Sequence, residues 1–245
     1  MALDIQIDRP GLDLSEKGRS ETGAPLSLDR RLFMQLLVFG NCETSKPLIE
    51  TLEARGWPGV LYEDVNDPYG VGLLTYTEDP SFFIDALRPL VRSAPFRSLV
   101  PKPEFTMMGR TYSIGYERDL EDVLLRRPVR HVCNPAWPWA IWYPLRRSGA
   151  FEKLPAEEQR KILMEHGGIG RAYGRAHYAF DVRLACHGLD RLDNDFVTGL
   201  MGPRLHPLSA VVQHMRRTRQ TSEFLTRLGP FFVGKAVWQA PLEDV

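Results

Sequence analysis

One histidine, His166, falls on the apolar side of a helical pattern, with Ile162 and Leu163 one turn before it and Ile169 one turn after. A neutral imidazole held among apolar side chains can offer a lone pair to a metal. Gly167, Gly168 and Gly170 follow at once and strip side chains from the helix, so a flat ligand could approach the backbone closely. Upstream, Trp142-Tyr143-Pro144-Leu145-Arg146-Arg147 supplies a tyrosine that can give up an electron and arginines that can clamp carboxylates. Together these residue types suit a metallated ligand that bears carboxylates. Each also has a plainer reading. A histidine on an apolar face is ordinarily a core residue bonded to a carbonyl. The glycines can be a weakened helix end. Trp137, Trp139 and Trp142 can be strand core, and Arg126, Arg127, Arg130, Arg146 and Arg147 a solvated basic rim.

A second patterned stretch runs from His177 to His187. Tyr178, Phe180, Val182, Leu184 and Cys186 alternate with His177, Ala179, Asp181, Arg183 and His187, so one face of a strand is apolar and the other mostly polar. The polar face meets either solvent or a pocket. No other catalytic signature competes: the chain has no Gly-x-Ser-x-Gly, no P-loop and no dinucleotide fingerprint. Neither His131 with Cys133 nor Cys186 with His187 has the spacing of a zinc site.

The elements that must position these residues read as two similar halves. In the first, Leu32 to Phe39 has strand length, and a helix opening at Ser45 and Pro47 carries Leu48, Ile49 and Leu52 before Gly56 closes it. Strands over 60–65 and 70–77 flank a turn at Asn66-Asp67-Pro68. A helix from Asp79-Pro80 sets Phe83, Ala86, Leu87, Leu90 and Val91 at helical spacing, and 105–116 is a closing strand. The second half repeats the order. It has a strand over 139–145, a helix over 155–173, strands over 177–187 and 196–201, a helix opening at His206-Pro207, and a last strand over 231–239. This is an α+β chain with a tandem βαββαβ, ferredoxin-like repeat whose sheets join, of the dimeric α+β-barrel type. The expected organisation is an arm over 1–30, a first half over 31–119 and a second, ligand-binding half over 120–245, entered through a Pro- and Arg-rich link at 120–138.

Composition bounds the remaining possibilities. The 245 residues are 43% hydrophobic, enough for one large core or two small ones. Lys+Arg and Asp+Glu balance at 31 each, which gives no reason to expect nucleic acid or a membrane surface as partner. No apolar run approaches the length of about 18 residues that a membrane span needs. The first thirty residues are polar and contain Pro10, Gly11, Gly18 and Gly23, which predicts a flexible arm rather than a secretory signal. Cys42, Cys133 and Cys186 are odd in number and far apart, as expected of reduced thiols in a cytoplasm.

The motifs Trp-Tyr-Pro-Leu-Arg-Arg, Leu-Pro-x-Glu-Glu-x-Arg and Glu-His-Gly-x-Ile-Gly-Arg-x-Tyr resemble the chlorite dismutase superfamily, above all its peroxide-dependent coproheme decarboxylases. Gly188-Leu189-Asp190, Asp195-Phe196-Val197-Thr198 and Gly229-Pro230-Phe231-Phe232-Val233-Gly234 fit the same pattern. The resemblance covers about residues 125–239, while the first half agrees only in element order. It implies a haem enzyme built as homo-oligomeric rings, often pentamers. His166 would be the proximal iron ligand and Tyr143 the tyrosine oxidised to a radical that attacks a propionate. Arg130, Arg146 and Arg147 would bind propionates. The cofactor and substrate would be haem or iron coproporphyrin III, with hydrogen peroxide as oxidant. Peroxide would oxidise the iron, the tyrosine would pass on one oxidising equivalent, and a propionate would lose carbon dioxide to become vinyl.

Two departures bear on the reaction. Chlorite dismutases carry a distal arginine on the strand that here spans 177–187. Counting forward from His166 gives Ala179, counting back from Gly188 gives Asp181, and Arg183 requires a further shift of register. They also place a glutamate on the next strand behind the proximal histidine, where the matching residue is Met201. Both departures disfavour chlorite chemistry. The alternatives are a chlorite dismutase or haem peroxidase, and a non-catalytic haem-binding member.

Overall fold

A computed structural model describes residues 11–242. Of the arm expected over 1–30, residues 1–10 lie outside the described residues. From Glu16 onward its polar sequence forms a hairpin, β1 (Glu16–Arg19) against β2 (Pro25–Leu28), which turns at Gly23. The hairpin docks on the end of the first half. Glu16 accepts hydrogen bonds from Arg110 and from the Ser113 backbone, and the Arg19 N–H donates to the carbonyl of Glu117.

β3 (Phe33–Gly40) alternates side chains between two faces, with Met34, Leu36 and Val38 almost wholly buried on one of them. α1 (Lys46–Ala54) starts beside Pro47 and buries Leu48 and Leu52; Gly56, at φ 58°, supplies the left-handed residue after it. β4 (Gly59–Asp64) and β5 (Val71–Thr77) follow. The next helical stretch opens with a wide π turn, Phe83–Leu87, and passes into α2 (Arg88–Val91). Pro89 explains the widening, because it has no N–H to donate and its ring collides with the carbonyl one turn back. β6 (Val100–Pro101) pairs with the end of β3, and β7 (Met107–Thr111) closes the half.

The link at 120–138 is helical. A second π turn, Asp122–Arg126, precedes α3 (Arg127–Val132), again just ahead of a proline, Pro128. β8 (Trp139–Arg147) leads through α4 (Gly149–Glu152) to α5 (Ala156–Arg175), then to β9 (Phe180–Ala185) and β10 (Phe196–Gly202). α6 (Leu205–Met215), α7 (Arg219–Phe224), β11 (Leu225–Leu228) and β12 (Phe232–Gln239) complete the chain.

The two halves join into a single closed ring of antiparallel strands. Its order is β3–β5–β4–β12–β8–β10–β9–β7, with β7 returning to β3. Inside lie Met34, Leu36, Leu74, Tyr62, Trp142 and Phe232, all nearly inaccessible. The large rings fit because glycines face them. A Cβ on Gly199 would come within 2.5 Å of the Trp142 ring, and one on Gly72 within 2.5 Å of Phe232. α1 packs on the outside of the first half, and α5 and α6 on the outside of the second. This is the tandem α+β-barrel architecture expected from the repeat. Among the described residues, no helix is long and apolar enough to cross a membrane.

Candidate functional site

The outer face of the second half carries the chemistry. β10 lies between β8 and β9, and its register sets Tyr143 opposite Thr198 and Thr198 opposite Arg183. Side chains in such a row point the same way, so a phenol, a hydroxyl and a guanidinium stand side by side across three strands. The next row is Ile141, Leu200 and Asp181, and Arg183 Nε reaches the Asp181 carboxylate at 3.1 Å. The polar face read from the 177–187 alternation is therefore continuous with the face that bears Tyr143. Ala179 precedes β9 and is buried with Ile141, Tyr143, Leu200 and Leu208 in the core under α5 and α6.

α5 crosses over this face. Glu157 and Glu158 in its first turn suit the positive end of the helix dipole. It runs unbroken through Gly167, Gly168 and Gly170, each of which costs a helix up to about 1 kcal/mol relative to alanine. Tertiary contacts must offset that cost, and Ile162, Ile169 and Tyr173 provide them. Leu163, expected on the buried stripe, is instead 40% exposed. The helix ends in a Schellman arrangement: the Tyr178 N–H donates to the Tyr173 carbonyl and the His177 N–H to that of Gly174. His177, at φ 56°, is thus the left-handed terminator of α5, and not the first residue of the strand as its place in the alternation implies.

His166 is half-buried on α5, and its Nδ1 lies 3.1 Å from the Thr218 hydroxyl oxygen. Burial holds its pKa below the ordinary imidazole value, and the charges of Arg183 and Arg147 push in the same direction. The ring is therefore neutral at neutral pH. No hydrogen bond involves Nε2 among the described residues, so that nitrogen is available as a donor. Beyond it, Cβ atoms on Gly167, Gly168 and Gly170 would meet only the flexible ends of Arg171 and Met215. No cluster of three or more His, Cys, Asp or Glu side chains among the described residues could hold a bare ion. A lone imidazole beside open glycine backbone suits a metal that brings its own equatorial ligands.

Tyr143 is 7% exposed, and its ring stacks on Phe231 with centroids 4.8 Å apart. Burial raises its pKa well above the usual phenol value and the Asp181 charge adds to the shift, while a hydrogen bond with Thr198 opposes it. It is a protonated phenol throughout the physiological range.

The two arginines after Tyr143 differ sharply. Arg146 is exposed and pairs with Asp193 at 2.6 Å. Arg147 is mostly buried, with its guanidinium carbon 4.3 Å from the Phe151 ring centre and 4.9 Å from that of Phe196. One Nη lies 3.5 Å from the Glu152 carboxylate, and the buried Nε has no hydrogen-bond partner among the described residues. A guanidinium held between two rings with one long ion pair has further Nη hydrogens to offer a carboxylate from outside the chain. Arg130 is not brought to this group: it sits on α3, paired with Asp122 at 2.6 Å, and α3 contributes Val132 to the core on the other side of the sheet.

Residues to which the sequence assigned no role complete the site. Tyr112, just past β7, packs against Phe196 with ring centres 5.7 Å apart; burial raises its pKa, and the charges of Arg183 and Arg147 reach it. Thr198 and Phe231 touch Tyr143, and Thr218 touches His166. Only pairing register and the fold of the α6–α7 turn bring these residues in. Thr198 and Phe231 had a sequence signal in the motifs of the resemblance, and Tyr112 in sharing the outward phase of Arg110 in the expected strand over 105–116.

The family model for chlorite dismutase matches residues 98–237. Among solved structures, a haem-binding protein from Thermus thermophilus is similar, with a TM-score of 0.65 and 21% identity over 85% of this chain and 92% of that one. A mutant chlorite dismutase of Candidatus Nitrospira defluvii, with one tryptophan replaced by phenylalanine and in complex with cyanide, is similar with a TM-score of 0.66 and 16% identity, also over 85% and 92%. Among the curated proteins none matches.

Proposed function

Since the chain belongs to the chlorite dismutase family, we propose that it is a haem-family oxidoreductase that uses hydrogen peroxide to decarboxylate iron coproporphyrin III to protohaem. Each propionate that becomes a vinyl group gives up carbon dioxide, one proton and two electrons. Those electrons and that proton, with a second proton from solvent, convert one peroxide into two waters. The observation that carries the reading is the row Tyr143–Thr198–Arg183 on the sheet face crossed by the helix of His166. A protonated, redox-capable phenol thus shares one site with a neutral nitrogen donor.

When bound, an iron porphyrin would supply the oxidising equivalents that peroxide delivers. The remaining duties fall to the chain. Nε2 of His166 would hold the metal, and Nδ1 is committed to Thr218. The Arg147 guanidinium, held between Phe151 and Phe196 beside Glu152, would receive one propionate through its Nη hydrogens. Arg146, exposed and engaged with Asp193, would steer a carboxylate at the rim. Tyr143 would give up its phenolic hydrogen, and its stacking on Phe231 limits ring motion while its burial keeps solvent away.

Arg183 favours a second reading. Its place in the Tyr143 row gives the site a cation on the strand where chlorite dismutases carry one, which makes a peroxidase or chlorite dismutase the runner-up. One experiment separates the two. The protein is titrated with ferric coproporphyrin III, peroxide is added, and product masses are followed alongside oxygen release from chlorite. Successive losses of the mass of a propionate converted to vinyl support the first reading. Oxygen evolution without mass loss replaces it with the second.

A further inference from the structure

We infer that Thr218 is the positioning residue of His166: its hydroxyl accepts a hydrogen bond from Nδ1–H, so that Nε2 carries the lone pair and the ligand stays a neutral imidazole. This rests on the reading above only in calling His166 an iron ligand; the hydrogen bond itself is a property of the chain.

The direction of the bond follows from what surrounds the hydroxyl. Thr218 is 1% exposed, in the turn between α6 and α7. Its Oγ1 lies 2.7 Å from the Met215 carbonyl oxygen and 3.1 Å from His166 Nδ1. A carbonyl oxygen can only accept, and two oxygens at 2.7 Å without a proton between them would repel. The single hydroxyl proton is therefore spent on Met215. A lone pair then faces His166, and Nδ1 must bring the proton. The third neighbour, Thr221 Oγ1 at 3.4 Å, is too far to compete for it.

The turn is held in place independently of the histidine. The Arg219 backbone N–H donates to Glu165, the residue before His166, and the Arg219 guanidinium reaches Glu158 one turn and more upstream. The same guanidinium pairs with Glu223 on α7, and Ser222 Oγ donates to the Thr218 carbonyl. α5 and α7 are thus joined next to the Thr218–His166 contact, through Glu158 and Glu165 on the N-terminal side of His166.

Among the described residues, no carboxylate takes the place of the hydroxyl. Met201, the position expected behind the histidine, belongs to the core inside the barrel, and Glu165 is turned to the α7 backbone. A carboxylate partner would draw the Nδ1 proton toward itself and make the ligand partly imidazolate; a hydroxyl acceptor leaves it neutral. The iron should therefore be easier to reduce than one whose histidine is backed by a carboxylate.

The test compares wild type with Thr218→Val, which keeps the shape and removes the acceptor, with Thr218→Ala as a second form, and with the conservative Thr218→Ser. In the full chain without porphyrin, ring-nitrogen NMR above the imidazole titration range should read His166 as the Nδ1–H form in wild type and Thr218→Ser. Thr218→Val and Thr218→Ala should shift it toward Nε2–H. With ferrous haem bound, the iron–histidine stretching band should fall in frequency in Thr218→Val and recover in Thr218→Ser. An Nε2–H form in wild type, or a tautomer that Val and Ala leave unchanged, overturns the inference. If haem does not bind through His166 at all, the proposed function falls, and the tautomer result still decides whether Thr218 orients the ring.

Discussion

Tyr143 and Phe231 lie nearly ring on ring, their planes inclined by 28°, and Phe231 enters from the residue just before β12. The stack fixes the ring and the hydroxyl does the chemistry. Tyr143→Phe should therefore keep the contact, fold with a stability change within about 1 kcal/mol, and still bind ferric porphyrin. It should lose decarboxylation. Urea unfolding and product masses check the two halves of this expectation, and a variant that releases carbon dioxide at the wild-type rate would remove Tyr143 from the reaction.

The same burial makes Tyr143 hard to ionise. Its folded pKa lies above that of a free phenol, so it stays protonated through moderately alkaline pH in the native protein. An ultraviolet titration of the folded chain should give the same count of ionising tyrosines for wild type and Tyr143→Phe until the protein unfolds.

Arg146 and Arg147 should respond very differently to truncation. Arg147 lies between Phe151 and Phe196, so Arg147→Ala removes cation–π contact and packing and should cost about 1–2 kcal/mol. It should also weaken porphyrin binding more than Arg146→Ala does. Arg146→Ala breaks only an exposed pair with Asp193, worth roughly 0–1 kcal/mol. Denaturant midpoints and porphyrin titrations of the two variants give the comparison directly.

His131 predicts the acid sensitivity of the porphyrin-free chain. Its Nδ1 bonds the Asp181 carbonyl at 2.9 Å, its ring packs on Trp137 and Phe180, and burial lowers its pKa below the ordinary imidazole value of 6.5. A depressed histidine pKa means that the unfolded chain binds the proton more readily. The folded state is thus favoured above the unfolded pKa and loses that advantage as pH falls toward the folded one. Urea midpoints should drop as pH is lowered through the window just below 6.5, and His131→Phe should flatten that slope.

Gly199→Ala tests the packing of the barrel interior. The added methyl would meet the Trp142 ring at 2.5 Å, and Trp142 has no room to retreat, being wholly buried. Overpacking of this kind costs about 1–3 kcal/mol. A melting temperature equal to wild type would mean that the ring moves aside.

Periodicity made the strands and long helices of both halves legible, because each buries one face of a regular pattern. Proline and glycine likewise marked α1 at both ends. The link at 120–138 was not legible as helix, since Pro128 breaks the pattern that a π turn then restores on the other side. The hairpin at 16–28 carries little apolar signal, because ion pairs and backbone bonds hold it in place. Within the site, His166, Tyr143 and Arg147 announce themselves by type and phase. Arg183 became interpretable only through the β8–β10–β9 register, which no count along the chain supplies. Thr218 and Phe231 are ordinary residues made important by a turn and a strand entry.

Fusing the two repeats into one ring of strands also removes something. An open sheet ends in unpaired amides and carbonyls that invite a strand from another molecule, and the barrel has no such ends. The β1–β2 hairpin and the short strands β6 and β11, each paired on one side, keep free edges. Copies of this chain that assemble can therefore pair backbone there and elsewhere meet through side chains on helices and outer strand faces.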